Sequence, residues 1–214
     1  MAEPIALTIS ALALVTSAAT AWLTLVRRGR VLMTQPTVIF FGPDGGTPHR
    51  SPRPKVFLRT LLFSTSKRGS VIESIHVRLS RGEGRQNFNI WVYGDDKLVR
   101  GSGLFVGETG VASNHHFLLP EDAPAFKFVA GIYILEVFAR VLGEKSHRLL
   151  FVQTLEVTDG LSKALEEDDC GLYFDWGPDS ARYFPHIDRR KLPVRPEHML
   201  DFLAGTTPED LRSV

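Results

Sequence analysis

Adjacent histidines, an acidic run ending on the lone cysteine, and a glycine-rich turn are where this chain could do chemistry. His115 and His116 are metal-ligand side chains, but neighbours on an extended strand point to opposite faces and cannot close on one ion. One of the pair is expected to be packed and the other exposed, and a site built on either would need a partner such as Asp122. Glu166, Glu167, Asp168 and Asp169 could attract a divalent cation, yet they lack the alternating Asp-x-Asp-x-Asp-Gly spacing that wraps calcium, so the run reads as solvated surface. Cys170 follows it directly, where negative charge disfavours the thiolate. Gly42-Pro43-Asp44-Gly45-Gly46 lacks the Gly-Lys-Ser/Thr ending of a phosphate loop, and no helical pattern follows it. The expectation is a non-catalytic protein with no catalytic, metal or cofactor residues assigned.

Binding surfaces are easier to name. Tyr173, Phe174, Trp176, Tyr183 and Phe184 are clustered late in the chain and are candidate partner contacts. Arg78, Arg81 and Arg85 with Trp91 and Tyr93 could offer a basic, ring-bearing face, but no motif of a nucleic-acid reader accompanies them, and none is expected as a partner.

The elements that position these residues begin with an anchor. From Pro4 to Val26 the chain runs 23 residues without a charge, bracketed by Glu3 and by Arg27, Arg28 and Arg30. As a helix this covers roughly 35 Å, enough for the hydrocarbon core of a bilayer. A cleaved signal peptide is the competing reading, because Ala19-Thr20-Ala21 has the small-x-small form of a cleavage site, but the first residues carry no basic charge. With the arginines all on the far side, the amino terminus is expected outside and residues 27–214 in the cytoplasm at the inner membrane. A soluble part facing the periplasm is the alternative. Ala6, Ser10, Ala13, Ser17, Thr20 and Thr24, spaced by alternating steps of four and three, share one side of the helix and suit self-association or pairing with another span.

The body has ordinary globular composition, 43% hydrophobic and 23% charged over 214 residues, which excludes a disordered or collagen-like chain. One cysteine excludes an internal disulfide. Residues 27–100 carry a net +9 and residues 101–214 a net −7, so the membrane-proximal half matches an anionic lipid surface. Between residues 37 and 158, short alternating segments are separated by turn residues: 37–41, 55–65, 70–80, 87–94, 103–107, 112–119, 131–142 and 148–158. Consecutive strands without helices between them imply an antiparallel β-sandwich over residues 31–158, following an anchor and basic flank over 1–30. Residues 159–214 read as an acidic and aromatic tail with short helices, as at 196–205 and 207–213.

Gly131-Ile132-Tyr133 followed by an alternating strand, a turn and a last strand at 148–158 resembles the final hairpin of immunoglobulin-like and fibronectin-type modules. The resemblance implies an immunoglobulin-like architecture in which Gly131 and Tyr133 form the tyrosine corner. The uncharged span together with MTQPTVIFFGPDGG, NHHFLLP and YFDWGPD resembles uncharacterised bacterial single-pass membrane proteins with such a domain, a likeness that implies no activity. The role expected is membrane-anchored binding or scaffolding. An exported ligand-binding or envelope-assembly module, or an enzyme with an unrecognised site, are the alternatives.

Overall fold

A computed structural model of the protein describes residues 2–26, 29–44, 52–95, 97–167 and 170–189. It opens with helix α1, Ala2–Ala21, which continues through a π-helical turn at Trp22–Val26. Residues Glu3–Thr24 form a helix long and apolar enough to cross a membrane, and none of its apolar window is buried by the rest of the chain. Thr8, Thr16, Thr20 and Thr24 each donate their hydroxyl to the carbonyl four residues back at 2.8 Å. Such back-bonding satisfies a hydroxyl without solvent, a requirement in lipid.

The remainder is mainly β, in two antiparallel sheets. The strands are β1 (Val31–Met33), β2 (Val38–Pro43), β3 (Pro54–Ser64), β4 (Ser70–Arg81), β5 (Gly84–Phe88), β6 (Ile90–Tyr93), β7 (Val99–Arg100), β8 (Leu104–Val106), β9 (Val111–Leu118), β10 (Gly131–Val141) and β11 (Arg148–Val157). After helix α2 (Asp159–Ala164) come β12 (Cys170–Gly177) and β13 (Arg182–Arg189). The larger sheet runs β13-β12-β2-β3-β9-β6-β7, with β1 also paired to β3; the smaller runs β11-β10-β4-β5, with β8 also paired to β4.

Alternation explains most of this. In β3 the side chains of Val56, Leu58 and Leu62 enter the core while Phe57, Arg59 and Leu61 face outward; in β10 Tyr133, Leu135, Val137 and Ala139 enter it from the opposite sheet. The segment 87–94 behaves differently from the single strand its alternation implies. The chain leaves the smaller sheet after Phe88 and joins the larger one at Ile90, so the phase resets at Asn89 and Trp91 is buried rather than Ile90 or Val92.

The second difference concerns residues 170–189, read from sequence as tail. They form a β-hairpin whose first strand, β12, pairs with β2: Leu172 lies opposite Phe41 and Phe174 opposite Ile39. Gly171, Gly177 and Pro185 disguise the strands; Pro185 is tolerated because β13 is an edge. The acidic stretch before it does start as a helix, α2, capped by the Thr158 side chain, which accepts from the Leu161 amide. The helices expected at 196–205 and 207–213 lie outside the described residues.

At Gly131 and Tyr133 the chain turns into β10. Tyr133 is buried, and its hydroxyl donates to the Val129 carbonyl at 2.7 Å, four residues upstream. Gly131 has φ +144°, a backbone conformation that residues with a Cβ rarely adopt, so glycine is favoured there. Changing Tyr133 to phenylalanine leaves the packing in place but removes the partner of a part-buried carbonyl. We expect a loss of about 1–2 kcal/mol in urea unfolding, and a loss below about 0.3 kcal/mol contradicts this role for the bond.

Candidate functional site

The outward face of the larger sheet carries a row of rings set by strand register. His186 lies opposite Tyr173, Tyr173 opposite Phe40, Phe40 opposite Phe57, and Phe57 opposite His116, across β13, β12, β2, β3 and β9. Neighbouring rings touch throughout: His186 stacks on Tyr173 at 5.5 Å, Tyr173 meets Phe40 at 4.8 Å, Phe40 meets Phe57 edge-on at 6.5 Å, and Phe57 meets His116 at 4.9 Å. Such ring pairs each contribute beyond their buried area.

Phe40 is fully buried although it points away from the core. Two glycines account for this. Gly171 lies against Gly42, and its ring neighbour is so close that a Cβ on Gly171 would fall 2.2 Å from Phe40 Cε2, and one on Gly42 2.6 Å from Cζ. The Phe40 ring therefore lies down in a glycine-floored trough, with the Lys55 ammonium 5.2 Å from its centroid. This packing leaves a hollow of about 380 Å³ beside it. Its walls are rings (Phe57, His116, Tyr173) and its rim carries Lys55, Asp95 and Asn114. Arg59 holds the rim in place, donating to Asp95 and to Asn114, both at 3.1 Å. Apolar walls with a few fixed polar groups suit recognition of a ligand or a segment of a partner.

The two histidines divide between the faces of the sheet. His116 lines the hollow; His115 is 1% exposed and points into the interior. Trp91 Nε1–H donates to His115 Nδ1 at 3.2 Å, so Nδ1 must be unprotonated, and Nε2 is buried without a hydrogen-bond partner. Burial is the largest cause pushing the His115 pKa down to about 4; proximity to His116 lowers it further and Asp95 opposes the shift. Asp122 is exposed on the connection after β9. The described residues contain no group of three His, Cys, Asp or Glu side chains placed to hold a metal ion. Cys170 is buried, with Sγ 3.9 Å from Glu167 Oε2. Asp168 and Asp169 lie outside the described residues.

The candidate contacts separate. Tyr173 belongs to the hollow. Phe174 does not belong to a contact surface: it is 2% exposed and packs edge-on against Phe41 at 5.3 Å, because alternation on β12 turns it inward. Tyr183 is committed internally, donating to the Pro36 carbonyl at 2.7 Å and accepting from Gln35 at 3.0 Å; burial raises its pKa well above the usual phenol value. Trp176 meets it edge-on at 5.0 Å. Phe184 is 41% exposed, under the Arg182 guanidinium.

Along α1, Ala6, Ser10, Ala13, Ser17 and Thr20 are exposed and Thr24 is partly covered. Arg27 and Arg28 lie outside the described residues, while Arg30 is tied down through its backbone, its amide donating to Thr65 Oγ1 at 2.8 Å. Sequence reasoning missed Phe40, Lys55, Phe57 and Asn114. The signal was there in part: Phe40 and Phe57 occupy the outward phase of their strands, where polar residues are the norm. Compared with family models, with curated proteins and with solved structures, the chain matches none.

Proposed function

We propose that this chain is a non-catalytic, membrane-anchored binding module. Helix α1 spans the bilayer with its amino terminus outside, and the two-sheet body stands at the cytoplasmic face, offering the ring-lined hollow to a partner. The observation that carries this reading is the pairing of an exposed apolar helix with a body whose outward sheet face carries a ring-walled hollow rimmed by a few charged and polar groups. Arg27, Arg28 and Arg30 directly after the span support the orientation. An unpaired, buried Cys170 fits a reducing compartment. The strand order β2-β3-β9-β6 facing β11-β10-β4-β5, with the Tyr133 corner, supports an immunoglobulin-like reading of the sandwich. The small-residue side of α1 is the surface on which a second span would pack.

Two experiments test this. Green fluorescent protein fused after Val214 should fluoresce and alkaline phosphatase there should be inactive; the reverse pattern places the body in the periplasm. Full-length protein captured from membranes in mild detergent should retain a partner that the double variant Tyr173→Ala, His116→Ala loses by about tenfold or more, since both rings wall the hollow and neither belongs to the core cluster. Equal retention by both proteins removes the hollow from the account.

A further inference from the structure

We propose that the seam between β1 and β11 binds an anionic phospholipid of the bilayer that holds α1. In this assignment Arg30 and Arg148 take the headgroup phosphate, and Leu32 and Leu149 meet the acyl chains. The proposal rests on reading α1 as a membrane span and is independent of which side the body occupies.

Position is the first argument. Arg30 is only four residues beyond Val26, where the span ends. An extended chain advances at most about 3.5 Å per residue, so the lip of the seam lies within about 14 Å of the hydrocarbon boundary. That is headgroup depth or just past it. Thr65 holds Arg30 there through both backbone groups, its hydroxyl accepting from the Arg30 amide and its amide donating to the Arg30 carbonyl at 3.0 Å.

Chemistry is the second. The seam encloses about 350 Å³ and is lined by Arg30, Val31 and Leu32 on one side and Arg148, Leu149 and Leu150 on the other. Two guanidiniums among apolar side chains match a molecule that is anionic at one end and apolar at the other. Arg148 pairs with Glu144 through Nη2, but its Nη1 is buried with no hydrogen-bond partner. Guanidinium is the group best suited to phosphate oxygens. Leu32 and Leu149 are 42% and 47% exposed, an unfavourable arrangement in water that becomes favourable against acyl chains. A free phosphate compound would engage the arginines and leave the leucines idle.

The test is native mass spectrometry of the full chain released from detergent after titration with phosphatidylglycerol or with phosphatidylcholine. Phosphatidylglycerol should remain bound at about tenfold lower concentration. Arg30→Gln and Leu149→Asn should each shrink that preference by about threefold or more. Both side chains lie at the surface, so neither variant threatens the fold. Arg100→Gln, an exposed charge on β7, should leave it unchanged. Equal retention of the two lipids, or an Arg100→Gln effect equal to that of Arg30→Gln, overturns the site. So does displacement of the lipid by an equimolar amount of glycerol 1-phosphate, which would point to a free phosphate compound instead. Alkaline carbonate extraction of the same protein separates two failures: a chain that stays in the membrane without lipid preference loses only this site, whereas a chain that is washed out loses the anchor.

Discussion

Replacing Phe41 by alanine is expected to lower the unfolding free energy by about 4 kcal/mol, the largest effect of any single truncation in the body. Phe41 is fully buried at the centre of a ring cluster, stacked on Phe128 at 4.9 Å and edge-on to Phe174 at 5.3 Å and Tyr133 at 5.8 Å. Those three rings come from the connection before β10, from the C-terminal hairpin and from the smaller sheet. One side chain therefore ties β2 to both the opposite sheet and the late strands. Alanine removes the transfer energy of the ring and leaves a void that rigid neighbouring strands cannot close. Since domains of this size are stable by only about 5–15 kcal/mol, the variant should sit near the edge of folding at 37 °C. Urea unfolding followed through the fluorescence of buried Trp91 measures it. A cost below about 1.5 kcal/mol would mean that the cluster is not the centre of the core.

Acid should destabilise the body before its carboxylates titrate. His115 has an ordinary pKa of 6.5 when unfolded and about 4 in place. Between those values the unfolded chain binds a proton that the folded one refuses, so stability is complete above pH 6.5 and is lost as pH falls toward 4. The full shift corresponds to about 3 kcal/mol, most of it expressed by pH 4.5. The geometry gives the cause: protonating Nδ1 breaks its bond with Trp91 Nε1–H and sets two donors face to face in a buried site. Urea midpoints at pH 7.5, 6, 5 and 4.5 should fall steadily in the native protein. His115→Gln, which can still accept from Trp91, should flatten the curve through that window. A native curve that is already flat, or a His115 imidazole that titrates near 6.5 by NMR, contradicts the assignment.

Both predictions depend on contacts between residues far apart in sequence, and that marks how much could be read from the sequence. Strands β3, β4, β9, β10 and β11 were visible because each alternates between a core side and an outer side, with turn residues between them, while β2, buried on both faces, was visible through its β-branched and aromatic composition. The bond from Tyr133 back to Val129 is local, spanning four residues beside Gly131, so its place at the start of β10 was within reach of the sequence. The crossing at Asn89 was not, since Phe88 and Ile90 continue an alternation that the backbone abandons. Strand β12 was hidden by Gly171 and Gly177, and β13 by Pro185, residues that weaken a strand signal for local reasons. Yet Gly171 is a glycine because β12 pairs with β2 and sets it against the Phe40 ring. The same holds for the hollow. Its outward rings can be suspected one by one, but their contiguity is a matter of register between β13, β12, β2, β3 and β9. No local pattern encodes that register.

The span is different, because its evidence is wholly local: length, lack of charge and the arginines behind it. The most direct test of the account is therefore alkaline carbonate extraction of native membranes, with the intact mass of the extracted and retained protein measured. The account predicts that the protein stays with the lipid pellet and that residues 4–26 remain part of the chain. Recovery in the wash, or a polypeptide that starts near Trp22, would contradict it.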